Sequence, residues 1–152
     1  MDKFAKLPKK QLLIILITSL GIILSICLET LMRAKDINLF NEWLINLGYI
    51  VSSELEYQEY FNSYIAINLS QLFLKVIIPM TFSIHSYFAF SNLRVNKLFV
   101  FIWTVLLLGG LAYVAVELNL QSVFYYINIT GYLILLGTVL SLIGKIDESK
   151  FS

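Results

Sequence analysis

The chain has 152 residues, of which 59% are hydrophobic and only 14% charged, whereas soluble domains are about a quarter charged and less than half apolar. A soluble fold of this length has no interior large enough for so much apolar surface, so the composition points to a lipid-embedded protein. The net charge of +1 supplies no field to attract nucleic acid, and the single cysteine, Cys27, can form neither an internal disulfide nor a Cys-rich metal site.

Lys3, Lys6, Lys9 and Lys10 precede the first apolar run, residues 11–32. Basic residues before an apolar stretch are also the pattern of a secretory signal, but about 22 residues are enough to cross a hydrocarbon core of roughly 30 Å. No small-x-small cleavage site closes the run, so it is expected to be a retained first span. Residues 33–65 then form the one sizeable segment outside the apolar runs. Within it Phe40, Trp43, Leu44 and Leu47 recur at i, i+3, i+4 and i+7 opposite Asn38, Glu42 and Asn46, which predicts a short helix lying in the outer interface with its Trp at headgroup level. Gly48 is placed to end it.

Ser53 and Glu56 have the spacing of a capping box and predict a helix start that runs on into the second span, residues 66–90. The third and fourth spans are residues 98–116 and 123–143. Continuous apolar runs, rather than short alternating ones, predict helices and not a β-barrel. Pro79 lies inside the second span, where it removes one hydrogen bond and predicts a kink that neighbouring helices must repair. The expected fold is an all-α integral membrane protein, a single domain over residues 1–152 with four transmembrane helices and an outer interfacial helix between spans one and two.

Lys3, Lys6, Lys9, Lys10, Arg94, Lys97, Lys145 and Lys150 flank the spans on one side and only Arg33 and Lys35 on the other. By the positive-inside rule both termini are cytoplasmic, and the expected location is the cell membrane.

Polar side chains inside spans are costly unless they face protein or water, so they are the candidate functional residues. In span two Asn68, Gln71, Lys75, Pro79 and Ser86 share a stripe, and in span one Thr18, Gly21, Ser25 and Glu29 share a narrower one. At 1.5 Å per residue Lys75 lies about 13 Å inside the outer end of its span. Side chains lean toward their helix N-terminus, so Lys75 leans outward and Glu29 inward, and the two are expected to pair. Glu29, Asn68, Gln71 and Lys75 would then form either a polar pocket or partner contact open to the outside, or an internal clamp that fixes helix packing. Glu54, Glu56 and Glu59, with Tyr57, Tyr60, Phe61 and Tyr64, form an acidic and aromatic collar above the second span, read as a wet helix face, the alternatives being a divalent-cation site or a contact for a basic partner. The lone His85 lies off the polar stripe and is read as a packing residue. Gly137 and Ser141 give span four a small-xxx-small motif suited to helix contact.

No phosphate loop, metal-ligand cluster, nucleophile elbow or cofactor motif occurs, so neither catalysis nor a cofactor is expected. Two functions remain. The first is a small non-catalytic subunit that binds membrane lipids, a membrane-protein partner or further copies of itself. The second is a small oligomeric channel or carrier whose path is lined by Asn68, Gln71, Lys75 and Glu29.

Overall fold

The computed structural model describes residues 6–49, 53–91 and 95–148, which leaves Lys3, Arg94 and Lys150 of the basic set outside the described residues. The described residues form five helices: α1 (Lys9–Lys35), α2 (Ile37–Asn46), α3 (Glu54–Ser91), α4 (Lys97–Val116) and α5 (Val123–Glu148). Four of them, all except α2, are long and apolar enough to cross a membrane.

Local chemistry sets the helix ends. Asp36 caps α2, its Oδ1 accepting from the backbone N–H of Asn38 at 2.9 Å and of Leu39 at 3.3 Å, which satisfies donors that have no partner inside the helix. Gly48 ends α2 as expected. Its φ of 71° is a left-handed conformation that costs glycine little. The N–H of Gly48 bonds to the carbonyl of Ile45, and that of Tyr49 to Leu44, the two bonds of a Schellman motif. Ser53 Oγ accepts from the N–H of Glu56 at 3.3 Å, so the capping signal does open α3, which runs unbroken through Pro79 to Ser91. Asn96 Oδ1 caps α4 through the N–H of Phe99 at 2.8 Å.

The long helices alternate in direction around a four-membered ring in which α1 touches α3 and α5, and α4 touches α5 and α3. The register is legible from side-chain pairs at both ends. Tyr64 donates to the carbonyl of Arg33 at 3.0 Å while Lys6 stands over the ring of Phe90, so α1 and α3 are antiparallel. Gln11 of α1 donates to Ser141 of α5 at 2.7 Å, and Lys97 at the start of α4 pairs with Asp147 near the end of α5 at 3.1 Å.

Each long helix carries apolar residues on every side, and packing divides the faces. In α1, Leu12, Ile15, Ser19, Ile22, Ile26 and Glu29 are buried, at the alternating three- and four-residue spacing of a helix-bundle seam. Leu13, Ile17, Leu20, Leu24, Leu28 and Leu31 recur at three- and four-residue steps on the outside, each more than 50% exposed. The centre of the bundle is closed by Ile22, Phe82, Leu107, Tyr132 and Leu135, all fully or almost fully buried.

Pro79 has no N–H to offer the carbonyl of Lys75 one turn back. The hydroxyl of Tyr132 on α5 donates to that carbonyl across the bundle in a long bond of 3.5 Å. The repair requires Gly110, because a Cβ there would lie 2.6 Å from Cε1 of the Tyr132 ring. Gly131 plays the matching part between α5 and α1, where a Cβ would meet Ile22 Cγ1 at 2.6 Å. By contrast, a Cβ on Gly21 or Gly137 would meet nothing within 4 Å. Neither glycine therefore lies at a close helix contact among the described residues, although Ser25, four residues after Gly21, is buried and Ser141, four after Gly137, bonds Gln11.

Candidate functional site

The apolar face of α2 packs on α3. Phe40 is fully buried and its ring meets Tyr57 at 5.3 Å and Phe61 at 5.2 Å, both edge-on, and Tyr64 at 5.4 Å. Leu44 is buried in the same cluster, with Trp43 packed against it. Burying a side chain such as Phe40 or Leu44 contributes about 1.5–3 kcal/mol each, so α2 is held by the first turns of α3 through the residues expected to meet lipid. Leu47, read as part of that face, stays 51% exposed, as does Ile45 on the other side at 74%.

With α2 docked, the C-terminal end of α1, α2, the middle of α3 and the α4–α5 turn enclose an open cavity of about 930 Å³. Glu29, Asn68 and Gln71, three of the four polar residues singled out in the sequence, line it together. Glu29 and Asn68 are buried and Gln71 is half-buried. Trp43, Tyr64, Ile67 and Phe124 supply apolar wall, and Arg33, Asp36, Glu42 and Glu117 supply charge.

Lys75 lies one turn beyond Gln71, beneath the cavity, with its side chain only 6% exposed. The expected Lys75–Glu29 pair does not form. Lys75 Nζ instead sits 2.7 Å from Oε1 and 2.7 Å from Oε2 of Glu117, and Glu29 meets Arg33 on its own helix at 3.4 Å. The reasons are geometric. Arg33 is four residues from Glu29 and already on its face of the helix, so the contact orders little chain. The short α3–α4 connection makes those helices antiparallel neighbours, and Lys75, leaning toward the N-terminal end of α3, reaches the far end of α4, where Glu117 is the C-cap. Glu117 was legible in the sequence only as the acidic residue that ends the third apolar run, and hairpin register was the signal that could have joined it to Lys75.

Leu118, the next residue, has φ 44°, a left-handed conformation that costs a β-carbon residue roughly 1–2 kcal/mol. The strain lies in the turn that presents Glu117 to Lys75, and Leu118 itself lines the cavity.

The remaining sequence candidates lie elsewhere. Glu54 and Glu59 are exposed on the first turns of α3 and Glu56 is half-buried there. None of the three lines the cavity, and among the described residues no three His, Cys, Asp or Glu side chains converge on a metal position. His85 accepts at Nδ1 a hydrogen bond from Trp103 Nε1 at 2.9 Å and packs beside Phe99, the ring centroids 5.1 Å apart. This bond joins α3 to α4 and leaves the imidazole with a structural role. Asn128 on α5 is buried, and its Oδ1 has no partner among the described residues.

No protein-family model, curated protein or solved structure matches the chain.

Proposed function

We propose that this chain is a non-catalytic multi-pass component of the cell membrane, with both termini cytoplasmic, that takes an amphiphilic partner such as a lipid into a pocket on its outer side. The observation that carries this reading is the cavity itself. It joins polar side chains too costly to leave in hydrocarbon to an apolar wall, and its volume lies within the range of sites for small organic ligands, about 300–1,000 Å³. The outward leucines of α1 support insertion, since a soluble monomer does not expose an unbroken apolar stripe of that length. The basic residues at the opposite end from the cavity support the orientation. In this orientation α2 lies at the outer surface with Trp43 at headgroup depth. Gly21 and Gly137, open on outward faces, are available to further copies of the chain or to a membrane-protein partner.

The close packing of Ile22, Phe82, Leu107, Tyr132 and Leu135 below Lys75 favours binding over passage through a single bundle. The test is mass spectrometry of amphiphiles retained by protein purified in mild detergent, with Ser122→Trp at the cavity rim as the blocked variant. Wild type should retain a stoichiometric amphiphile that the variant loses. Identical retention by both refutes the pocket.

A further inference from the structure

The inner end of the cavity presents acceptors that receive no hydrogen bond from the described residues. Asn68, 8% exposed, donates through Nδ2 to the carbonyl of Tyr64 at 2.9 Å. A backbone carbonyl only accepts, so this bond fixes the amide orientation and leaves Oδ1 as the free group. No donor among the described residues reaches Oδ1. Glu29, 6% exposed, has Arg33 at 3.4 Å, longer than the roughly 2.7–2.9 Å of a charge-assisted bond, and receives no hydrogen bond from any described residue. Glu29 and Asn68 both line the cavity with acceptor capacity that no described donor fills, and a ligand rich in N–H donors satisfies both.

The charge of the walls has the same sign preference. Glu29, Asp36, Glu42 and Glu117 line the cavity against one lining cation, Arg33. Lys75 beneath neutralises Glu117 and Arg33 neutralises Glu29. Asp36 and Glu42 have no ion-pair partner among the described residues, so the cavity keeps a net negative field that favours a cation. Trp43 and Tyr64, which line the cavity, add aromatic wall of the kind that attracts a cation. At about 930 Å³ the space is far larger than an ammonium group alone, and its apolar wall requires the cation to carry an apolar body.

Resting on the amphiphile-binding reading above, we infer that the pocket recognises an organic ammonium ion on an apolar body, its nitrogen donating to Glu29 and to Asn68 Oδ1. The ammonium belongs either to a free amphiphilic amine or to the headgroup of an aminolipid.

The test uses the full chain in dodecyl maltoside and follows tryptophan fluorescence, with Trp43→Phe identifying the responding ring. Hexylammonium is titrated beside hexanol and hexanoate, which share its apolar body. Hexylammonium should bind saturably and at least about tenfold more tightly than the other two, and Glu29→Gln and Asn68→Leu should each weaken it at least about tenfold while leaving hexanol unchanged. Glu42→Gln, exposed on the rim, should weaken it about two- to threefold through the field alone, and keeps the test decisive if the buried variants fail to fold. Nanodiscs separate the sources. If phosphatidylethanolamine discs suppress the hexylammonium titration and phosphatidylglycerol discs do not, the headgroup is the ligand; equal titration in both assigns a free amine. Hexanol or hexanoate binding as tightly as hexylammonium overturns the ammonium assignment and leaves the amphiphile pocket standing. Absence of binding by any probe, with amphiphile retention unaltered by Ser122→Trp, overturns both.

Discussion

Replacing Glu117 by Gln leaves the ammonium of Lys75 buried with no counter-charge, and the structure sets the size of the effect. With Nζ 2.7 Å from each carboxylate oxygen, the Coulomb attraction at an effective dielectric constant of about 20 is roughly 5–6 kcal/mol. The desolvation of two ions, several kcal/mol each, offsets most of that, so the pair adds little to stability over an apolar replacement. Removing one partner is different, because desolvation of the other persists without its compensation. Glu117→Gln should therefore destabilise by about 3–5 kcal/mol, and Lys75→Met by less, because Glu117 is 25% exposed and can turn to water. The double variant should recover most of the loss, giving a coupling of at least about 2 kcal/mol. Glu29→Gln, whose partner is Arg33, should add to Lys75→Met within about 0.5 kcal/mol. The assay is equilibrium unfolding in mixed detergent and dodecyl sulfate micelles across both double-mutant cycles. A cost below about 1 kcal/mol for Glu117→Gln, with strong coupling of Lys75 to Glu29 instead, refutes the reasoning.

Gly110→Ala should cost about 1–3 kcal/mol by forcing the Tyr132 ring aside, whereas Gly21→Ala and Gly137→Ala, in open positions, should gain up to about 1 kcal/mol of helix propensity; the same unfolding assay ranks them. Tyr132→Phe removes only the long bond to the Lys75 carbonyl and should cost no more than about 1.5 kcal/mol. Phe40→Ala should cost about 3–5 kcal/mol and free α2 from α3, read as a loss of protection from proteolysis in the segment between Asp36 and Tyr49. In a Cys27→Ser background, cysteines at Asn41 or Gln58 should react with an impermeant maleimide from outside intact cells and a cysteine at Ser91 should not. Labelling at Ser91 overturns the orientation.

The four apolar runs were legible in the sequence because a helix able to span a membrane must be long and apolar without interruption, a property of adjacent residues alone. Two helix ends were legible for the same reason, since Gly48 and Ser53 act on backbone groups within a few residues of themselves; Asp36 and Asn96 cap in the same local way but were not singled out in the sequence. Three of the four candidate polar residues share one cavity because Glu29, Asn68 and Gln71 lie near the same end of antiparallel neighbours, which span order already implies. Partner choice was not legible. The polar stripe of span two did mark a buried face, since Asn68, Lys75, Pro79 and Ser86 all lie inside the bundle, but the apolar residues around the glycines carry no such signal, so nothing local revealed that Gly110 and Gly131 rather than Gly21 and Gly137 lie at helix contacts. The amphipathic pattern of α2 identified its apolar face but not what covers it, since aromatic rings and lipid satisfy the same pattern. Lys75 found Glu117 rather than Glu29 because the rotation of α3 about its axis and its register against α4 are set by the packing of the whole bundle, and a side chain's nearest charge depends on both.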